Sequence, residues 1–140
     1  MYKTRRGVFE TNSSSTHTFS INNTYSYKLK KEIRPSWHTD FGWAWEIWET
    51  PEEKLAYILR CLTYQYSWLE TREIIKKVQV RLHKLGVHFD LPTDEEWRSG
   101  SIDHGDKYET DIKEIIDKDK DFLNFLFNDR CYIEGGNDNE

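Results

Sequence analysis

The sequence predicts an α+β domain: a small antiparallel sheet, formed by an N-terminal meander and a C-terminal strand, packed against three or four helices. Three observations predict it. Short runs near the start alternate apolar and polar residues between turn-forming residues, as half-buried strands do. From Thr50 onward, apolar residues recur at helical spacing in successive stretches. The last apolar run, Arg130 to Glu134, is again short and alternating.

Taken in order, Tyr2 to Glu10 reads as the first strand, with Gly7 a bulge or a point of close approach. His17 to Ile21 reads as the second, and Asn22-Asn23 suits the turn after it because Asn tolerates positive φ. Thr24 to Leu29 puts Tyr25, Tyr27 and Leu29 on one side, a third strand completing the meander. In Ser36 to Glu49, Phe41, Trp43, Trp45 and Ile47 alternate like a strand, although Trp45 and Trp48 also fit one helix face.

Thr50-Pro51-Glu52-Glu53 is a helix start: Thr50 caps, Pro51 suits the first helical position and Glu53 completes a capping box. Leu55, Ile58, Leu59, Leu62 and Tyr66 then share one face. A second helix begins near Thr71, with Ile75, Val78, Leu82 and Leu85 as its stripe and Gly86 as the C-cap glycine. Val87 to Leu91 is a short strand, and Thr93 caps a short helix carrying Trp97. Tyr108, Ile112, Ile115 and Ile116 define a third main helix; Phe122, Leu123, Leu126 and Phe127 define a short apolar one. In the last strand Cys131 and Ile133 face inward, and residues 135–140 form a flexible acidic tail. No repeat or linker divides the chain, so residues 1–140 are expected to form a single domain.

Aromatic residues make up 15% of the chain against 36% hydrophobic content, so the core is expected to be built largely from rings. The net charge of −5 is unevenly spread. Residues 1–34 carry seven Lys/Arg against two Asp/Glu, whereas residues 93–140 carry six against fifteen. An acidic face of this kind either balances the basic start or meets a basic partner. Cys61 and Cys131 lie in apolar surroundings without zinc or redox spacing, which suits buried free thiols. A polar N-terminus and the lack of a long apolar run lead to the expectation of a cytoplasmic protein with no membrane segment.

No phosphate-loop or dinucleotide fingerprint occurs, and no cofactor is expected. His38-x-Asp40, His88-x-Asp90 and Asp103-His104 supply metal-ligand types, but their spacings match no zinc or iron site. A basic strip around Arg5, Arg6, Lys28 and Arg34 is set against an acidic whole, which disfavours nucleic acid as the partner.

The densest polar chemistry lies in Glu10, Asn12, Ser13, Ser14, Ser15, Thr16 and His17. Consecutive hydroxyls and backbone N–H groups suit an anion such as a phosphorylated ligand. His17 or His104 would move a proton, with Asp103 or Glu10 orienting it, and Asn137-Asp138 are a further candidate addition. A small hydrolase can be written from these residues, but no nucleophile-elbow pattern accompanies them. The competing reading of the serines is a hydrogen-bonded hairpin connection. Trp37, Trp43, Trp45 and Trp48 are the candidates for a partner-binding surface, against the alternative of core packing.

The segment Arg5 to His17, together with Ile102-Asp103-His104, Phe125-Leu-Phe127 and Gly135-Gly-Asn-Asp138, resembles an uncharacterised family from phages and Gram-positive bacteria. Its members open with an Arg-x-Gly-Val-Phe-Glu-Thr-Asn-Ser-Ser-Ser-Thr-His segment. Thr18 and Gly105 stand where similar proteins often have Ser and Gln. The resemblance brings no assigned activity. What it implies is a phage or prophage accessory protein acting on a host system in the bacterial cytoplasm; from the acidic C-terminal half and the Trp cluster, the expected action is to bind and interfere with a host protein, a defence nuclease being one version.

Overall fold

A computed structural model describes the backbone of residues 3–10, 15–102 and 109–137, and the side chains of 17–102 and 112–136. The order of elements is β1 (Lys3–Glu10), β2 (Ser15–Asn22), β3 (Asp40–Phe41), β4 (Glu46–Trp48), α1 (Pro51–Thr63), α2 (Trp68–Lys84), α3 (Asp94–Arg98), β5 (Ser101–Ile102), α4 (Glu109–Ile116), α5 (Asp119–Phe127) and β6 (Tyr132–Asn137). The chain is therefore α+β, with a four-stranded antiparallel sheet in the order β1-β2-β6-β4 and a separate parallel pair, β3-β5.

The β1–β2 pairing slips between Arg6 and Phe9, which leaves one extra residue on β1 and makes the expected bulge next to Gly7. The third meander strand does not form. Both edges of β2 are occupied, one by β1 and the other by β6, so Thr24–Leu29 has nothing to pair with. Asn22 Oδ1 accepts from the Thr24 N–H, Tyr25 takes a φ of +54°, and the chain crosses onto α5. There the Tyr25 hydroxyl donates to Asp121 and Tyr27 stacks on Phe127. The basic link that follows meets the expected 87–91 strand in one parallel bridge, Glu32 to His88.

The helix starts follow their local chemistry. Thr50 and Thr93 each form a complete capping box, with Glu53 and Glu96. α2 begins at Trp68, earlier than expected, because the Ser67 hydroxyl accepts from the Glu70 N–H. Gly86 follows α2 with a φ of +92°, as the C-cap reading required. No helix among the described residues is long and apolar enough to cross a membrane.

α1 is the centre of the fold. Every residue from Lys54 to Cys61 is buried, and the helix contacts α2, α4, α5 and β5. Tyr57 is the hub of an aromatic core, with Phe19, Phe41 and Trp48 at centroid distances of 5.6, 5.2 and 5.8 Å. The edge-on approach of Phe19 and Phe41 is the geometry that ring quadrupoles favour. Cys61 and Cys131 are buried and neither is in a disulfide.

Gly135, Gly136 and Asn137, read from sequence as the start of a flexible tail, are instead the end of β6, paired with His17, Thr16 and Ser15. Gly136 has a φ of +137°, and a Cβ there would lie 2.0 Å from the Ala44 carbonyl oxygen. The glycine lets the 42–45 loop lie directly on the sheet. Gly136→Ala should destabilise the fold by about 2–4 kcal/mol through backbone strain and the clash together. The check is a urea denaturation midpoint, which should fall well below the parent's.

Candidate functional site

The sheet brings together residues from both ends of the chain. Glu10 at the end of β1 lies opposite Thr16 at the start of β2, and Ser15 lies opposite Asn137 on β6. Ser15 and Thr16 therefore open β2 between the end of β1 on one side and Gly136–Asn137 of β6 on the other. Asn12, Ser13, Ser14, Asp103, His104 and Asp138 lie outside the described residues.

His17 is fully buried. Its Nδ1 is 2.6 Å from the Tyr57 hydroxyl, and its ring packs 5.5 Å from Tyr57 and 6.0 Å from Trp48. Solvent does not reach this imidazole. Its position on the core face of β2 ties the sheet to α1 through the one polar atom that Tyr57 brings into the aromatic cluster.

The tryptophans divide into two pairs. Trp37 and Trp48 are 5% and 0% exposed and belong to the core, which removes both from the expected contact surface. Trp48 packs on Phe41 and Tyr57 and donates its indole N–H to Glu46. Trp43 and Trp45 are 58% and 47% exposed, and Ile47 beside them is 50% exposed. The difference comes from register. Trp48 lies opposite Ile133 on the core face, whereas Ile47 lies opposite Glu134 on the other face. Trp43 and Trp45 sit on the loop and lead that the Gly136 approach holds against β6.

Trp43 is exposed but not loosely placed. Its indole N–H donates to the Ser101 hydroxyl at 2.8 Å, and that hydroxyl donates to Asp40 at 2.9 Å. The β3–β5 pairing brings these residues together across 61 positions of chain. With its polar atom satisfied, the indole leaves its apolar face to solvent. Asp40, joined to it through Ser101, is exposed, as are Glu46 and Glu49 in the same stretch of chain. His38 donates to or accepts from Ser99 at 2.8 Å, and His88 lies 3.0 Å from Asp90, both at the surface. Among the described residues no three His, Cys, Asp or Glu side chains are placed to hold a metal ion.

Two buried cations were not singled out from sequence: Lys54 and Arg60, both on α1. Lys54 and Arg60 bracket the apolar run Leu55–Leu59, and that was the available signal. Lys54 Nζ donates to the carbonyls of Asn128 and Cys131 at 3.0 and 2.7 Å. It thereby holds the turn between α5 and β6, where Asn124 and Asn128 also donate to the Asn22 carbonyl. Comparison of the chain with protein-family models, curated proteins and solved structures found no match.

Burial pushes the Lys54 amine down from 10.5 to about 8. A lowered lysine pKa means the unfolded chain binds more protons between those two values, so this residue's contribution to stability grows as pH rises through that window. The full span corresponds to about 3 kcal/mol at 1.36 kcal/mol per unit. Burial of the Cys131 thiol raises its pKa and opposes this trend at alkaline pH, but it is common to parent and variant. Lys54→Met should be destabilised at pH 7 by about 2–3 kcal/mol, because two buried carbonyls lose their donor. The gap from the parent should widen toward pH 10, measured by urea unfolding at both pH values.

Proposed function

We propose that this protein works by binding another protein, through the acidic, aromatic surface formed by Trp43, Trp45 and Ile47. The observation that carries the reading is the exposure of three large apolar side chains within five residues, with the Trp43 indole fixed by Ser101. Tryptophan contributes most to interface energy when its indole is anchored before the partner arrives, since less side-chain freedom is lost on binding. β4 is also an edge strand of the sheet, so its outer backbone edge lies beside the same side chains.

Asp40, linked to Trp43 through Ser101, the exposed Glu46 and Glu49 of the same stretch and a net charge of −5 fit a partner with a basic contact face. A nucleic-acid-binding protein such as a nuclease has such a face. The wider setting is the one the N-terminal motif implies: an accessory protein of phage type acting on a host protein in the bacterial cytoplasm. In the alternative, a small hydrolase or phosphorylated-ligand protein built on the serine segment, His17 or His104 would move the proton, and burial withdraws His17 from that role. A sealed imidazole held by Tyr57 favours the surface reading.

Trp43→Ala/Trp45→Ala should fold like the parent, because both side chains are about half exposed and neither belongs to the buried core. It should lose a captured host protein that the parent retains at low salt, with a cost of about 2 kcal/mol or more in affinity. The complex should also weaken in high salt as its charges are screened. Equal retention of the same partner by parent and double variant would overturn this reading.

A further inference from the structure

Beside Ser101, on the helical side, lies a second feature that a protein-binding surface does not use. A cavity of about 300 Å³ is bounded by Arg60, Tyr64, Tyr66, Trp68, Trp97 and Ser101. Arg60 enters its wall from the last turn of α1 and is 6% exposed. One of its nitrogens, Nη2, donates to the carbonyls of Trp37 and Trp97 at 2.9 and 2.6 Å. The guanidinium lies flat on the Trp97 ring, 3.9 Å from its centroid.

Among the described residues Arg60 has no anionic partner. Its Nε–H is buried and has no acceptor. Among the described residues no carboxylate forms an ion pair with it, and Asp40 acts only from a distance. Two carbonyls and a ring partly replace water around a guanidinium, but they do not neutralise it. Buried arginines normally meet a carboxylate or phosphate, for which the planar donor set is suited. Burial lowers the Arg60 pKa to about 10, in keeping with an uncompensated charge.

The remaining walls give the ligand its shape. Trp68 stacks against Trp97 at 5.8 Å, and Tyr64 and Tyr66 are about half exposed at the cavity mouth. Rings of this kind accept a flat body, while the guanidinium accepts a negative head.

We propose that this cavity binds a small aromatic anion, with its carboxylate or phosphate on Arg60 and its ring against Tyr64, Tyr66 and Trp68. Such an anion comes either from an aromatic carboxylic acid or from a mononucleotide. The site is separate from the Trp43–Trp45 surface in what it binds, although Ser101 borders both.

The test uses the full chain, with sodium benzoate and adenosine monophosphate as probes at constant ionic strength. The readout is the indole N–H signals of the six tryptophans in a nitrogen–proton correlation spectrum. Saturable shifts of the Trp68 and Trp97 signals, with Trp45 unmoved, are expected for at least one probe. Response to benzoate alone indicates a carboxylate ligand; response to the nucleotide alone indicates a phosphate one. Arg60→Gln should weaken binding about a hundredfold, as loss of charged hydrogen bonds does. Because Arg60 also holds two carbonyls, Tyr64→Ala serves as the variant that keeps the fold, and it should weaken binding about tenfold. The proposal is overturned if neither probe shifts Trp68 and Trp97 saturably, or if binding survives unchanged in Tyr64→Ala.

Discussion

The structure depends on a helix that is surrounded on all sides. α1 runs through the middle of the domain, and burial from Lys54 to Cys61 leaves no face for its polar residues to use. Each polar group must therefore find its partner inside. Tyr57 meets His17 on the sheet, Lys54 meets the α5–β6 turn, and Arg60 meets the carbonyls of Trp37 and Trp97. Those contacts join three remote parts of the chain to one helix. They act as specificity devices more than as sources of net stability, since burial of a cation is costly even when hydrogen-bonded. An apolar α1 of the same length would pack, but it would not select these partners.

The same enclosure explains how the functional candidates are distributed. On the sheet side, His17 is drawn into the core and its ring is shut from solvent. At the end of α1, Arg60 is buried with no ion-pair partner among the described residues and borders an open cavity. Between these positions the 42–45 loop lies on Gly136, and Ser101 pins Trp43 at the surface. The proposed binding surface and the proposed anion site thus lie next to each other, both bordered by Ser101 of β5. Whether a residue serves packing or recognition here is decided by small differences in register, as Ile47 and Trp48 show on one three-residue strand.

Much of the fold was legible because its signals are local. Thr50 and Thr93 cap helices with Glu three residues on, and Gly86 ends α2 with positive φ; each involves residues within one turn of each other. The β1 bulge and the inward-facing Cys131 and Ile133 were legible for the same reason. The third meander strand failed because alternation in Thr24–Leu29 says which face is apolar but not whether a sheet edge is available. The extension of β6 through Gly135 and Gly136 ran against local propensity and was set by the close approach of Ala44.

By itself the sequence determined the class of fold, the helix boundaries set by capping, the aromatic nature of the core and the concentration of polar chemistry near the N-terminus. Only the tertiary structure decided which of the four central tryptophans are buried, that His17 is sealed by Tyr57, and that Arg60 borders a cavity. The physical reason is range. Capping and periodicity are settled by neighbours a few residues away, whereas burial and charge compensation depend on contacts such as Lys54 to Cys131, made across most of the chain's length.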